Sequence, residues 1–174
     1  MRIAISGKSG CGNTTVSSLV AQELGYVMIN FTFRTLAQER GIDFWDLAAL
    51  AEKDDSIDYE IDRRQVEMAM DQEHCVLGSR LAIWMLKEAD LKFFLDATIE
   101  ERARRIHKRE GGSLEAKVAE TTARDAKDTA RYKRLYGIDN SNPSVADLVI
   151  DTTTKSAAEV AQVIVSEVRR RLKV

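Results

Sequence analysis

A glycine-rich stretch near the amino terminus constrains the fold more than any other part of the chain. Residues 7–15 read Gly-Lys-Ser-Gly-Cys-Gly-Asn-Thr-Thr, directly after the apolar run 3–5 and before an apolar pattern of helical period over 16–24. The order strand, glycine loop, helix is that of the phosphate-binding loop with the pattern G-x-x-x-x-G-K-[ST]. The backbone N–H groups of such a loop and the positive end of the helix dipole favour a polyphosphate before any side chain is counted.

The loop departs from that pattern at one position. Asn13 stands where the lysine is expected, and Thr14 occupies the position whose hydroxyl binds magnesium. Lys8 lies inside the loop and can fold back over the phosphates to restore the missing charge. Losing one charged contact lowers affinity by about 1.5–3 kcal/mol, which modifies such a site without abolishing it. We therefore predict a nucleotide-phosphate site made of Gly7, Lys8, Ser9, Gly10, Cys11, Gly12, Asn13, Thr14 and Thr15.

The charge balance limits the range of partners. The 174 residues include 26 basic and 28 acidic ones, so the formal net charge of −2 gives no overall attraction to nucleic acid or an anionic membrane. Any positive potential must therefore be local. No apolar run approaches the ~18 residues that a membrane-spanning helix needs, and Cys11 and Cys75 do not form a disulfide framework. We expect a monomeric cytoplasmic protein that binds small-molecule nucleotides, with neither nucleic acid nor membrane as a partner.

Apolar and charged segments alternate along the rest of the chain. Strands are predicted at 2–6, 26–29, 75–77, 91–96 and 148–150, with helical patterns between them. Strands that alternate with helices indicate a parallel sheet covered on both faces. The predicted fold is therefore α/β, a single domain over 1–174 with three layers and a five-stranded parallel sheet. Two helical additions interrupt it: an insertion at about 31–73 and a polar, charged segment at about 111–137.

Arginines are concentrated in the segments that would surround a second anion. Phosphoryl transfer needs cations around the migrating group and a pocket for the acceptor. Arg80 follows the third predicted strand, at the sheet edge where ligands collect in open parallel sheets. Arg124, Asp128 and Arg131 fall at i, i+4 and i+7 of the polar segment, so they share one helical face. These side chains are candidates for binding the acceptor and the transferred group.

Together, these motifs resemble the cytidylate kinase family, and in particular its short archaeal-type branch. The similarity spans nearly the whole chain and is carried by residues 7–15, 33–34, 62–65, 78–80, 89–97, 101–103 and 124–131. Members of that branch also replace the loop lysine with a small polar residue. The resemblance implies a P-loop NTPase fold in which 31–73 binds the nucleoside monophosphate and 111–137 forms a lid.

The resemblance also implies an activity, the transfer of the γ-phosphoryl group of ATP to CMP or dCMP with the help of Mg²⁺. By position, Arg34 and Arg80 would hold the α-phosphate of the acceptor, and Arg63 is a further substrate-binding candidate. Arg124 and Asp128 would approach the cytidine or the phosphates as the lid closes.

Arg131 would neutralise charge on the transferred group, and it joins Lys8, Arg80 and Arg124 as a catalytic candidate. The basic run 104–109 would border the ATP site. The family's frequent Gly-Arg-Asp after the third strand reads Ser-Arg-Leu here. One carboxylate contact to the base or ribose is therefore missing.

Two other functions remain open at this point. One is a P-loop kinase for another small acceptor. The other is a catalytically silent nucleotide-binding regulator, which the asparagine at position 13 motivates.

Four further side chains carry expectations of their own. Cys11 is expected to be more exposed than the buried Cys75, and its place beside a helix N-terminus is expected to lower its thiol pKa and make it sensitive to oxidation. Trp45 and Trp84 are expected to pack in the core or at a hinge.

Overall fold

A parallel sheet of five strands forms the centre of the computed structural model, which describes residues 1–172. The strands are β1 (Arg2–Gly7), β2 (Val27–Ile29), β3 (Cys75–Gly78), β4 (Leu91–Asp96) and β5 (Leu148–Asp151). They run in the order β2-β3-β1-β4-β5, and every neighbouring pair is parallel. All five carboxyl ends therefore meet at one edge of the sheet. The predicted strands are confirmed, with bounds that shift by a residue at most.

Helices cover both faces of this sheet, as predicted. They are α1 (Asn13–Leu24), α2 (Phe33–Arg40), α3 (Phe44–Ala51), α4 (Ser56–Met70), α5 (Ala82–Met85), α6 (Ile99–Glu110), α7 (Leu114–Tyr136) and α8 (Ala157–Leu172). The alternation of side chains along each strand divides the core between the two faces. Ile3 and Phe93 pack with the helices α1 and α8, whereas Ala4 and Phe94 pack on the opposite face with α5.

The insertion between β2 and β3 is a helical unit with its own small core. Leu36 of α2, Leu47 of α3 and Ile61 of α4 are buried together there with Phe31. The Thr32 side chain caps α2, since its hydroxyl oxygen accepts a hydrogen bond from the Thr35 backbone N–H. This unit is therefore stabilised by apolar contacts of its own, separate from those of the two sheet faces.

The helix α7 differs from the others because it buries almost nothing apolar. Over its 23 residues Thr121 alone is buried, and the helix ends at Gly137 in the left-handed conformation (φ 69°). This agrees with the expectation of a helix outside the main core. Its position is held by polar contacts, described below.

Among three local features, one was not predicted, one confirms an expectation and one contradicts an expectation. The short helix α5 was not predicted, because four residues are too few to show a helical period. Trp84 packs edge-on against Phe94, as expected for a core side chain. The expectation for Trp45 is wrong, since this side chain is 75% exposed on α3. No helix within residues 1–172 is both long and apolar enough to cross a membrane.

Candidate active site

The glycine loop turns tightly between β1 and α1 and leaves the first turn of α1 open. Gly10 and Gly12 have φ angles of 85° and 99°, which other residues rarely adopt. A β-carbon at Gly10 would also lie 2.9 Å from the Arg102 carbonyl oxygen. Gly12 is the N-cap of α1, and no side chain of the described residues caps this helix. The N–H groups of the first turn are therefore available to an anion.

The side chain of Asn13 turns back into the loop and does not extend over it. Its Nδ2 donates a hydrogen bond to the Gly7 carbonyl oxygen at 2.5 Å, and its Oδ1 is buried without a hydrogen-bond partner among the described residues. Lys8 lies partly exposed at the edge of the same cleft, and no ion pair involves it in residues 1–172. Arg124 of α7 donates to the Ser9 hydroxyl at 3.4 Å. Lys8 and Arg124 therefore carry positive charge near the loop that no carboxylate pairs with within residues 1–172.

Arg102 fixes the loop from the side of α6. It is only 5% exposed, and its guanidinium donates to the carbonyl oxygen of Ser9 at 3.1 Å and to that of Ala97 at 3.3 Å. It also forms a two-pronged ion pair with Asp125 of α7, at 2.7 and 3.1 Å. One buried cation thus connects the loop, the start of α6 and α7.

Arg105, one turn further along α6, makes a second set of loop contacts. It donates to the Gly10 carbonyl oxygen at 3.3 Å and to the Thr152 carbonyl oxygen at 2.5 Å, and its Nε contacts Glu101 at 2.8 Å. The basic run 104–109 was predicted to border the ATP site, and Arg104, Arg105 and Arg109 do line the cleft. The structural roles of Arg102 and Arg105 were not predicted. One signal was present, because Arg102 lies one turn before the apolar Ile106 and therefore on the buried face of α6.

A cleft of about 1020 Å³ opens over the carboxyl ends of the strands. Ligand pockets typically hold roughly 300–1,000 Å³, so this one has room for more than one small ligand. Its lining contains seven basic and three acidic side chains, although the chain as a whole carries a net charge of −2. The local positive potential predicted from composition is therefore present. One end of the cleft is formed by the glycine loop, α6 and the start of α8, and the other by the helical insertion and the end of β3.

Arg80 and Asp128 meet where β3 ends beneath α7. Arg80 Nη1 lies 2.8 Å from Asp128 Oδ2, and Tyr132 of α7 also lines the cleft at this point. Burial raises the pKa of the Asp128 carboxyl, while Arg80 and Arg124 act in the opposite direction. The structure therefore brings together two predicted site residues, Arg80 and Asp128, and a third, Arg124 of the same helix α7, also lines the cleft.

Three other predicted arginines lie outside the cleft lining. Arg131 forms an ion pair with Asp58 of α4 and donates to the Ala51 carbonyl oxygen at 3.5 Å. Arg34 lies over the ring of Phe44, with its guanidinium carbon 4.8 Å from the ring centre. Arg63 is exposed and forms an ion pair of 2.5 Å with Glu67, one turn along α4. The geometry does not bring these three together with Arg80.

The segment 62–65, which contains Arg63, places two other residues of α4 in the cleft, Asp62 and Gln65. Asp62 Oδ2 accepts a hydrogen bond from the Tyr136 hydroxyl at 2.6 Å, and Gln65 Nε2 donates to the Phe31 carbonyl oxygen at 2.7 Å. Burial raises the pKa of Asp62 to about 6, against the lowering effect of the hydrogen bond from Tyr136. Sequence reasoning selected Arg63 and missed these two. The apolar residues of α4 were the available signal, because Ile61 shares a helical face with Gln65.

The expectation for Cys11 is wrong. The side chain is 2% exposed and belongs to the main core cluster. Burial raises the pKa of its thiol to about 11, although Arg102 and Arg105 favour the thiolate. The loss of hydration therefore outweighs the effect of the two nearby arginines. Cys75 is buried as predicted, and burial raises its pKa too.

The strand order, the glycine loop after β1 and the basic cleft over the carboxyl ends define a P-loop kinase. A solved structure of shikimate kinase from Acinetobacter baumannii, in complex with shikimate, superposes on this chain with a TM-score of 0.65. That alignment covers 98% of this chain and 93% of the other at 18% identity. It shows the fold alone.

Sequence comparison gives the family. The model of the cytidylate kinase-like family matches residues 2–154, so the chain belongs to that family. Cytidylate kinase 2 of Borrelia garinii subsp. bavariensis is 43% identical over 175 residues, which cover 98% of this chain and 98% of the relative. Cytidylate kinase of Pyrococcus horikoshii is 40% identical over 164 residues, which cover 93% of this chain and 85% of the relative.

Proposed function

We propose that this protein transfers the γ-phosphoryl group of ATP to CMP or dCMP, giving ADP and CDP or dCDP. The observation that carries the proposal is the two-ended basic cleft, with the glycine loop at one end and Arg80 with the helical insertion at the other. The chain shares 40–43% identity with proteins named cytidylate kinase over most of their lengths. A silent regulator is not favoured, because the cations for both phosphate groups are present.

The loop holds the phosphates of ATP through its backbone N–H groups and the open first turn of α1. Thr14 fits a magnesium ligand, since its side chain is exposed, lines the cleft and makes no hydrogen bond within residues 1–172. Mg²⁺ bound with a nucleotide takes most of its ligands from phosphate and water, and the described residues hold no cluster of three or more metal-binding side chains. When bound, the ion neutralises charge on the β- and γ-phosphates.

The acceptor binds at the end of β3, with its α-phosphate against Arg80 and its base toward the insertion. In this arrangement Asp128 is the counter-ion that holds the Arg80 guanidinium in place before the acceptor arrives. Arg34 and Arg63 lie outside the cleft in this conformation, so any contact with the acceptor requires movement of these side chains or of the insertion.

In the transfer step an oxygen of the acceptor α-phosphate attacks the γ-phosphorus, and the bond to the β,γ-bridging oxygen breaks. ADP leaves with that electron pair, and no protein base is needed because the attacking oxygen is already anionic. Arg80 and Arg124 face the reacting phosphates from the two sides of the cleft, and Arg131 joins them when it leaves Asp58. Closure of α7 excludes water, which would otherwise compete with the acceptor.

We further propose that Lys8 supplies the charge that Asn13 does not. The Asn13 side chain is bound to the Gly7 carbonyl, whereas Lys8 lies at the cleft without an ion pair among the described residues. Lys8→Ala should therefore lower kcat/KM far more in the natural background than in an Asn13→Lys background, where a second ammonium group is present. Steady-state kinetics of the four combinations measure this. Equal losses in the two backgrounds would reject compensation by Lys8.

The decisive experiment is an acceptor panel with ATP and magnesium. CMP and dCMP should be phosphorylated with a kcat/KM well above those of AMP, shikimate and dephospho-coenzyme A. Turnover of one of these others without CMP would identify a different small-acceptor kinase. Tight binding of ATP and CMP without any CDP would identify a regulatory protein.

We further infer that the enzyme acts as a monomer in the cytoplasm. Its near-balanced charge gives no overall attraction to nucleic acid, which agrees with action on free nucleotides. Light scattering coupled to size-exclusion chromatography tests the monomer.

A further inference from the structure

At the acceptor end of the cleft, two hydrogen-bond acceptors on α4 receive no hydrogen bond from any residue of 1–172. They belong to Asp62 and Gln65, which are three residues apart on the helix and therefore on one face. Both line the cleft, and both are oriented by contacts with other elements. Phosphate binding is assigned to the arginines and the glycine loop, so it requires neither of these two side chains.

The carboxyl group of Asp62 is held by α7. Its Oδ2 accepts the hydrogen bond from Tyr136, while no described residue donates to its Oδ1. Tyr136 is itself oriented by an edge-on contact with Tyr59 of α4, with ring centres 5.3 Å apart. The free oxygen is therefore in a defined place and accepts when the carboxyl group is ionised.

The amide of Gln65 is held by the segment that follows β2. The Phe31 carbonyl can only accept a hydrogen bond, so the 2.7 Å contact must come from the amide nitrogen. This fixes which way the amide faces and leaves its oxygen as an acceptor to which no residue of 1–172 donates. Asp62 and Gln65 together thus offer two acceptor oxygens. The one donor that remains is the second N–H of the Gln65 amide.

Two neighbouring acceptors suit a group that donates two hydrogens, and they repel a carbonyl oxygen. The 4-amino group of cytosine has two N–H bonds, whereas uracil carries a carbonyl oxygen at that position. A site built to hydrogen-bond a substrate amine rejects an analogue without it, because its buried polar groups are then left unpaired. The Asp62 carboxylate would also replace the carboxylate contact that is missing after Arg80, where the chain has Leu81.

We propose that Asp62 and Gln65 form an amine-recognition pair that selects a cytosine nucleotide against a uracil nucleotide. The inference rests on the proposed function, in which the base of the acceptor lies toward the insertion. The pair would be the part of the acceptor site that distinguishes cytosine from uracil.

The test compares CMP, UMP and the 5′-monophosphate of pyrimidin-2-one riboside, which has a hydrogen in place of the 4-amino group. Binding of each nucleotide is measured by calorimetry, and turnover with ATP is measured in parallel. The variants are Asp62→Asn and Gln65→Met, since the first keeps the shape of the side chain and the second its length. The control is Glu67→Gln, which removes a negative charge from the same helix at an exposed position that pairs with Arg63.

The unmodified protein should bind CMP roughly 10- to 100-fold more tightly than the pyrimidin-2-one nucleotide, the range expected for a hydrogen bond to a charged group. UMP should bind weakest. Each cleft variant should reduce the preference for CMP over the pyrimidin-2-one nucleotide at least about fivefold and leave binding of the latter within about threefold. Glu67→Gln should change neither.

Equal binding of CMP and the pyrimidin-2-one nucleotide by the unmodified protein overturns the inference. So does an equal loss for all three nucleotides in both cleft variants, because that result describes a structural role. If CMP is preferred but never phosphorylated, the proposed function fails while the recognition pair stands. If CMP is phosphorylated without preference over UMP, the recognition pair fails while the function stands.

Discussion

At the scale of single residues, the loop depends on a cation that sequence reasoning had not assigned. Arg102 is buried with Asp125 and holds two backbone carbonyls, one of them in the loop. Removing one member of a buried pair is far more costly than removing an exposed one, because the other charge remains uncompensated. Arg104 provides a comparison on the same helix, since it pairs with Glu101 while largely exposed.

We predict that Arg102→Ala lowers the free energy of unfolding by about 3–5 kcal/mol. Arg104→Ala should lower it far less, because an exposed ion pair is screened by solvent and contributes little. Urea unfolding followed by circular dichroism measures both values. Losses of the same size would mean that burial of the Arg102–Asp125 pair has no energetic importance.

A second prediction at this scale concerns pH. Burial raises the pKa of Asp62 to about 6, with the nearby Asp58 adding to the rise and Tyr136 and Arg131 opposing it. Above pH 6 the ionised group accepts through both oxygens, and below it the group carries a proton that it can donate to the uracil carbonyl. The ratio of kcat/KM for CMP to that for UMP should therefore be highest above about pH 7 and fall as the pH drops through 6.

This ratio is a suitable measure because the titrating α-phosphate is common to both nucleotides and cancels. In Asp62→Asn the ratio should be low and independent of pH over the same range. A ratio that is flat in the unmodified protein would separate the carboxyl group from base selection.

At the scale of elements, α7 is a helix positioned by charge. Its second half contacts α4 and the residues before it through Arg131 with Asp58, Arg134 with Asp55, and the Tyr136 hydroxyl with Asp62. Since none of its apolar side chains is fully buried, these polar contacts and the ion pairs of Asp125 and Asp128 hold the helix in position. The ion pair with Asp58 also keeps Arg131 away from the proposed phosphate positions. Acceptor binding therefore has to compete with Asp58 for this arginine.

We predict that Asp58→Asn loosens the second half of α7. Deuterium uptake measured by mass spectrometry should rise in residues 127–136 and stay unchanged in β1 and β4, because core strands open only on global unfolding. Glu60→Gln is the matched control, since Glu60 pairs with Arg40 and Arg64 and not with α7. Unchanged uptake in Asp58→Asn would show that the ion pair does not hold the helix.

At the scale of the whole molecule, one cleft joins the ATP end to the acceptor end. A compound in which cytidine and adenosine are linked by five phosphates should occupy both ends. At a concentration 100 times its Kd, it should raise the free energy of unfolding by about 2.7 kcal/mol. Thermal unfolding at matched concentrations should show a larger rise in Tm than with ATP alone, and Arg80→Ala should reduce it. No advantage over ATP would argue against a shared cleft.

Much of this architecture could be predicted from the sequence, because it depends on local patterns. The glycine loop and the five strands follow from spacing and apolar runs, and both were found where expected. The wrong predictions concern which side chains point into the cleft, which point into the core and which point to solvent. Arg63 and Asp62 are neighbours in one motif, yet the packing of α4 puts only Asp62 in the cleft. The Cys11 side chain packs in the main core cluster, and its carbonyl contacts Arg105 of α6, more than ninety positions away.

The bond between Asn13 and Gly7 affects how this loop can change over evolutionary time. A lysine at position 13 would gain a contact to phosphate but would leave the Gly7 carbonyl without the donor it has now. A single mutation back to the common motif thus carries a structural penalty before it brings any benefit. Reversion to lysine therefore requires a new donor for the Gly7 carbonyl if the loop is to keep its present hydrogen bonding.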